Sequence, residues 1–229
     1  MKLLFVPGAS CGRKTWMLQT PYFEGSEALA LPGHPEGETR SSVDGYTDWL
    51  REYILKQGYQ DIVLVGHSMG GAVAQTYAIR YGAELKGLVL IGTGARLRIR
   101  PDLLKAVEAM VTNEAAFIAY LEERHQNTVP EAKQAIIDER REIGAAVLFN
   151  DLSACDRFDV MAEIQNITVP TLVIGGAGDQ LAPVKYAHYL TDNIKGAREL
   201  VVPASGHWVL TEKPQVVNEA IADFIKTLG

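Results

Sequence analysis

Short runs of β-branched and aliphatic residues recur along the chain, each closed by a Gly-rich or polar turn: Leu3–Val6, Ala28–Leu31, Ile62–Val65, Leu88–Ile91, Thr171–Ile174 and Glu199–Val202. These runs do not alternate between apolar and polar residues. They are apolar on both faces, as strands buried in a parallel sheet require. Between them the spacing turns helical. Asp44–Gln57 places Tyr46, Trp49, Leu50, Tyr53 and Ile54 on one face, Ala72–Tyr81 follows the third run, and Val184–Ile194 and Pro214–Leu228 follow the last two. Strands alternating with helices predict an open, mostly parallel α/β sheet flanked by helices.

Residues 95–167 break this rhythm. They contain no strand pattern, only helical segments at Asp102–Val111, Glu114–Arg124, Glu131–Arg141 and Gly144–Leu152. Asn113 and Pro130 mark the starts of the second and third. The expected layout is one domain: a core from 1–94 and 168–229, with 95–167 as a helical cap inserted between strands. Such a cap would lie over the strand C-termini, the edge where open α/β sheets bind ligands. No repeat, low-complexity tract or linker interrupts the chain.

The segment Ile62-Val63-Leu64-Val65-Gly66-His67-Ser68-Met69-Gly70-Gly71 is a G-x-S-x-G pattern set between a predicted strand and a predicted helix. That context identifies a nucleophile elbow, in which Ser68 sits on a tight, strained turn. Gly66 and Gly70 let strand and helix close up, and Gly71 lets the helix approach the sheet. His67 is adjacent to the serine, but neighbours on so sharp a turn point in different directions, so it reads as structural.

A serine hydroxyl needs a base, and the base needs an orienting acid, in the chain order Ser…Asp…His. The strand after the insertion ends Gly175-Gly176-Ala177-Gly178-Asp179, and the next ends Val202-Pro203-Ala204-Ser205-Gly206-His207. Asp179 and His207 therefore leave the same sheet edge as Ser68. Asp156 and Asp159 precede their strand. His34, His125 and His188 are the rival histidines, the last two within helical patterns. The expected oxyanion donors are the backbone N–H of Met69 and, from the loop Pro7-Gly8-Ala9-Ser10-Cys11-Gly12, that of Ala9, with Ser10 second.

These motifs, together with Val169-Pro170-Thr171 and Glu212-Lys213-Pro214, resemble the α/β-hydrolase superfamily over the whole chain outside the cap. The resemblance implies the α/β-hydrolase fold, a Ser68–Asp179–His207 triad and no cofactor, in a trimmed version that begins at the family's third strand. Pro7-Gly8 replaces the His-Gly of many relatives. The Gly8-Ala9…Gly12…Trp16 spacing is similar to the methylesterases and hydroxynitrile lyases. The lyases carry Lys directly after the catalytic His, and Trp208 at that position implies hydrolysis. A serine at the elbow excludes the Asp-nucleophile dehalogenases and epoxide hydrolases.

Composition narrows the partners. Net charge is −6 (22 basic, 28 acidic residues), so no basic footprint for nucleic acid or anionic membrane is visible. The two cysteines, Cys11 and Cys155, make no disulfide framework and point to a reducing, cytoplasmic setting. The Leu3–Val6 run is too short for a signal peptide, and no run reaches transmembrane length. The expected partner is a small-molecule acyl substrate, without metal; the oligomeric state is open. Ser10, Trp16, Met69, Phe149, Leu181 and Trp208 are pocket candidates, although each also suits a core. Arg96, Arg98 and Arg100 share one face of an extended segment, where they could hold an acidic substrate but are more simply read as solvated or paired with cap acids. Cys11 reads as packing. The leading expectation is a carboxylic-ester hydrolase. The alternatives are a thioesterase or C–C bond hydrolase, and a ligand-sensing protein with slow residual hydrolysis.

Overall fold

Successive residues of a strand face opposite sides of a sheet, so a strand apolar throughout needs cover on both sides. In a computed structural model that describes residues 1–229, the apolar runs form β1 (Lys2–Val6), β2 (Glu27–Ala28), β3 (Ile62–His67), β4 (Leu85–Ile91), β5 (Thr171–Gly176) and β6 (Arg198–Val202). They form one parallel sheet in the order β2-β1-β3-β4-β5-β6. The helices are α1 (Val43–Gln57), α2 (Met69–Tyr81), α3 (Pro101–Met110), α4 (Glu114–Arg124), α5 (Pro130–Ile143), α6 (Ala145–Asp156), α7 (Val184–Asn193), α8 (Val209–Glu212) and α9 (Pro214–Ile225).

One side of the sheet, with Leu4, Val6, Leu64, Leu90 and Val173, packs on α1, α2 and α7. The other side, with Leu3, Phe5, Val65, Ile91 and Ile174, packs on α8, α9 and Trp16. The capping signals act as the sequence implies. Ser42 Oγ accepts from Gly45 N–H at the start of α1, and Asn113 Oδ1 accepts from Ala116 N–H at the start of α4. The second predicted strand is shorter than expected. Leu29 N–H still donates to Phe5 O, but the Leu31 carbonyl accepts from His34 N–H, closing a turn where Ala30 and Leu31 would otherwise have paired.

Register aligns the strand ends. Val6 pairs with Gly66, His67 with Ile91, Ile91 with Ile174, and Gly176 with Val202. The loops leaving β1, β3, β4, β5 and β6 therefore open at one edge. Between β4 and β5 the chain runs through α3–α6, which bury a cluster of their own containing Val107, Phe117, Leu121, Ile137, Ala145 and Leu148. The chain enters and leaves these helices side by side: Val160 N–H donates to Ala95 O and Leu97 N–H to Phe158 O. No helix is long and apolar enough to cross a membrane.

Candidate active site

Ser68 has φ 53° and ψ −118°, a conformation a non-glycine residue holds only when its surroundings enforce it. Four hydrogen bonds do so. Ser68 N–H donates to Ile91 O, while the Ser68 carbonyl accepts from Thr93 Oγ1 and from the N–H groups of Gly71 and Ala72. The glycines are needed for closeness. A Cβ on Gly66 would stand 2.3 Å from Gly70 O, and one on Gly70 would stand 2.2 Å from Val6 O.

Asp179 leaves β5 and His207 leaves β6. Their loops meet so closely that a Cβ on Gly176 would lie 2.1 Å from Gly206 O. Gly206 N–H donates to the Glu212 carboxylate at 2.5 Å, which pins the His207 loop to α8. His207 Nδ1 lies 2.8 Å from Asp179 Oδ2, with the carboxylate side chain fully buried. Asp179 Oδ1 accepts from Leu181 N–H (2.8 Å) and Ala182 N–H (2.9 Å). Burial pushes the Asp179 carboxyl up, but the neighbouring His207 and these hydrogen bonds outweigh it and hold the group below the usual carboxylate range. A carboxylate can only accept, so His207 Nδ1 carries the proton. Nε2 of the neutral ring is then the one able to take a proton.

His67 is fully buried, and its Nε2 lies 2.9 Å from the His207 carbonyl. A carbonyl only accepts, so His67 Nε2 is protonated and steadies the His207 backbone. Burial, then the nearby His207, lowers the His67 pKa to about 3. His67 is thus neutral and structural.

Ser68 and His207 line one cleft of about 90 Å³, walled by Leu97, Ile99, Leu152 and Leu181 among others, with Arg98 and Arg100 also on its lining. Two wider surface hollows, of about 510 and 570 Å³, lie by Tyr59–Ile62 and by Pro32–Arg40. Neither contains Ser68 or His207. Met69 begins α2, so its N–H has no acceptor within the helix. Ala9 N–H donates to no protein group, and Gly8 beside it packs against Ser68, where an added Cβ would lie 3.2 Å from Ser68 Cβ.

The pocket candidates divide. Leu181 lines the cleft. Trp16 does not: it stacks on Phe5 at 4.9 Å, fully buried in the core on the α9 side of the sheet. Met69 is also fully buried, in the core on the α2 side. Phe149 packs against the inserted helices' own cluster. Trp208 lies against His125 and His67, at centroid distances of 4.2 and 5.1 Å, and borders a polar hollow on another side of His207. Ser10 is buried, and its N–H donates to Asp151 Oδ2 at 2.9 Å, so it serves neither as pocket wall nor as second oxyanion donor.

The rival acids and histidines are engaged elsewhere. Asp156 accepts from Ile99 N–H, Asp159 pairs with Arg96 and Arg98, and Arg100 pairs with Asp102. His188 is exposed beside Glu199, and His125 caps α4. Sequence reading passed over three charged residues of the inserted helices: Glu139, Arg140 and Asp151. Arg140 and Asp151 are buried. Their signal was present, because Arg140 falls between Ile136 and Ile143, and Asp151 between Leu148 and Cys155, on otherwise apolar helix faces.

A model described as the alpha/beta hydrolase family matches residues 3–220. The chain is 27% identical to a pimeloyl-(acyl-carrier protein) methyl ester esterase of Aromatoleum aromaticum, over 98% of each chain. It is 26% identical to the monoacylglycerol lipase ABHD6 of Homo sapiens, over 99% of this chain and 75% of that one. Among solved structures, a thermophilic esterase aligns with a TM-score of 0.82 at 31% identity, covering 99% of this chain and 90% of the other. The chain therefore belongs to the alpha/beta hydrolase family and is an enzyme of the hydrolase class.

Proposed function

We propose that this hydrolase cleaves carboxylic esters of small to medium acyl groups, with Ser68 as nucleophile, His207 as base and Asp179 as the residue that orients His207. The observation that carries the reading is the shared cleft: a serine on a strained strand-to-helix turn and a histidine whose Nδ1 is committed to a buried carboxylate line the same apolar space. In the reaction Ser68 Oγ attacks the acyl carbonyl while His207 Nε2 takes its proton. The carbonyl oxygen, now negative, is met by the N–H groups of Met69 and Ala9. His207 gives the proton to the leaving alcohol, and water repeats the sequence to free the acid.

The relatives named esterase and lipase support ester chemistry. The cleft supports a short acyl chain, since about 90 Å³ is well below the roughly 300–1,000 Å³ of drug-sized pockets. In the proposal the inserted helices act as a cap, the substrate is the only partner, and no cofactor takes part. The two buried, unpaired thiols suit a reducing compartment, so the cytoplasm belongs to it as well.

The test is turnover of p-nitrophenyl esters of increasing acyl length beside the matching acyl-thioesters. Ester turnover that falls as the chain lengthens is expected. Thioester turnover with poor ester turnover would shift the reading to a thioesterase. A folded protein that turns over neither would favour ligand sensing.

A further inference from the structure

The loop that carries Ala9 makes few bonds of its own; Cys11 N–H to Gly8 O, at 3.2 Å, is its one internal backbone hydrogen bond. Its shape is held from outside, by charged side chains of the inserted helices. Ser10 has φ 50°. Its N–H donates to Asp151 Oδ2 of α6 at 2.9 Å, and its carbonyl accepts from Arg140 Nε of α5 at 3.1 Å. Further along, the Glu139 carboxylate accepts from Gly12 N–H (3.2 Å) and Lys14 N–H (3.0 Å).

The two groups at Ser10 are buried charges, Asp151 fully and Arg140 to 2% exposure. They make no direct ion pair with each other; the Ser10 backbone lies between them. The other Asp151 oxygen accepts from the Tyr46 hydroxyl at 2.7 Å, and His34 Nε2 lies 2.9 Å from Oδ2. Arg140 also donates to His125 Nε2 at 2.9 Å, and its guanidinium lies 4.9 Å from the Trp208 ring centroid. Burying two charges is expensive, and apolar contacts alone would dock these helices more cheaply. What the charges add is direction, because each fixes one side of a single residue whose neighbour, Ala9, carries the free N–H.

We propose that Asp151 and Arg140 are positioning residues: by holding the N–H and the carbonyl of Ser10 they aim the Ala9 N–H at the developing oxyanion, so the inserted helices complete the catalytic site through its backbone. The inference rests on the esterase reading above. It also makes the seat of α5 and α6 part of the active-site geometry, since these helices cannot lift without releasing the loop.

The test compares the wild-type enzyme with Asp151→Ala, Asp151→Asn and Arg140→Lys. The readouts are kcat and KM on p-nitrophenyl acetate, the pH profile, and affinity for a trifluoromethyl ketone, which forms a tetrahedral oxyanion on Ser68. Ångström-scale misplacement of a catalytic group costs about 100-fold in rate. Asp151→Ala is therefore expected to lose about that factor in kcat, with KM within about threefold and ketone affinity falling in parallel. Its pH midpoint stays put, because His207 and Asp179 are untouched. Asp151→Asn, whose amide oxygen still accepts from Ser10 N–H, recovers to within about fivefold of wild type.

A folded Asp151→Ala with unchanged kcat and ketone affinity overturns the proposal, as does a loss that appears only in KM. If Asp151→Ala does not fold, Arg140→Lys decides, because it keeps the charge but removes the Nε donor that holds the Ser10 carbonyl. A fall of about fivefold in kcat and ketone affinity is expected, and no change overturns the proposal. A wild type that turns over neither esters nor thioesters removes the esterase reading and the clamp with it; an active wild type with indifferent variants removes the clamp alone.

Discussion

Two buried histidine–aspartate pairs lie in this molecule, His207–Asp179 at 2.8 Å and His34–Asp151 at 2.9 Å. By distance they are near twins, but His207 Nδ1 is hydrogen-bonded to its carboxylate while neither His34 ring nitrogen has a hydrogen-bond partner. Their surroundings differ. The His207 side chain is 10% exposed and lines a cleft with Ser68, whereas both members of the second pair are fully closed off. The carboxylates differ too. Asp179 spends one oxygen on its own loop and the other on His207. Asp151 spends its oxygens on Tyr46, Ser10 and the contact with His34. A histidine–aspartate pair is thus not a catalytic device by itself. What separates the two is the cleft shared with Ser68 on one side, and a loop backbone to be held on the other.

Substitutions should split the pairs widely. Ser68→Ala is expected to lower kcat on the order of 10⁶-fold on a p-nitrophenyl ester. Asp179→Asn should lose about 10⁴-fold, because the amide favours the wrong tautomer of His207. His34→Gln, at the twin position, should leave kcat within about threefold and instead lower the urea-unfolding free energy by about 0.5–3 kcal/mol, through disturbed packing of a buried ring. Equal kinetic losses at His34 and His207 would erase the distinction.

A smaller effect concerns the neutral histidines packed around these pairs. His67 titrates at about 3, lowered by burial and then His207, and His125 at about 2, lowered by burial and then Arg140. In the unfolded chain both titrate near the ordinary ~6.5. As pH falls from there towards 3 the unfolded state binds more protons than the folded one, so stability falls with pH, by about 1.4 kcal/mol per pH unit for each histidine. Unfolding midpoints measured between pH 7 and 4.5 should show this slope, and His125→Asn should remove about one proton's worth of it. A slope unchanged in that variant would contradict the neutral assignment.

Much of this was legible in the chain because it is local. The helix at Glu114–Arg124 follows from Asn113 and the apolar spacing, and is observed with those bounds. Ser68, Asp179 and His207 could be placed at one edge because each follows a strand, and parallel strands end together. What depends on which layer a side chain enters was not legible. Trp16 sits in the loop segment after β1 but turns under the sheet onto Phe5. The clamp was missed for a different reason. Asp151 and Arg140 act on a backbone more than a hundred residues away, and a charge on an apolar helix face says that a partner exists without saying which.

The most direct test of the central claim is mass mapping of a fluorophosphonate adduct on the wild type, Ser68→Ala and Asp179→Asn proteins. The account predicts one adduct on wild type, confined to the peptide containing Ser68, absent from Ser68→Ala and formed far more slowly in Asp179→Asn. An adduct on another residue, or none on a folded wild type, would contradict Ser68 as the nucleophile.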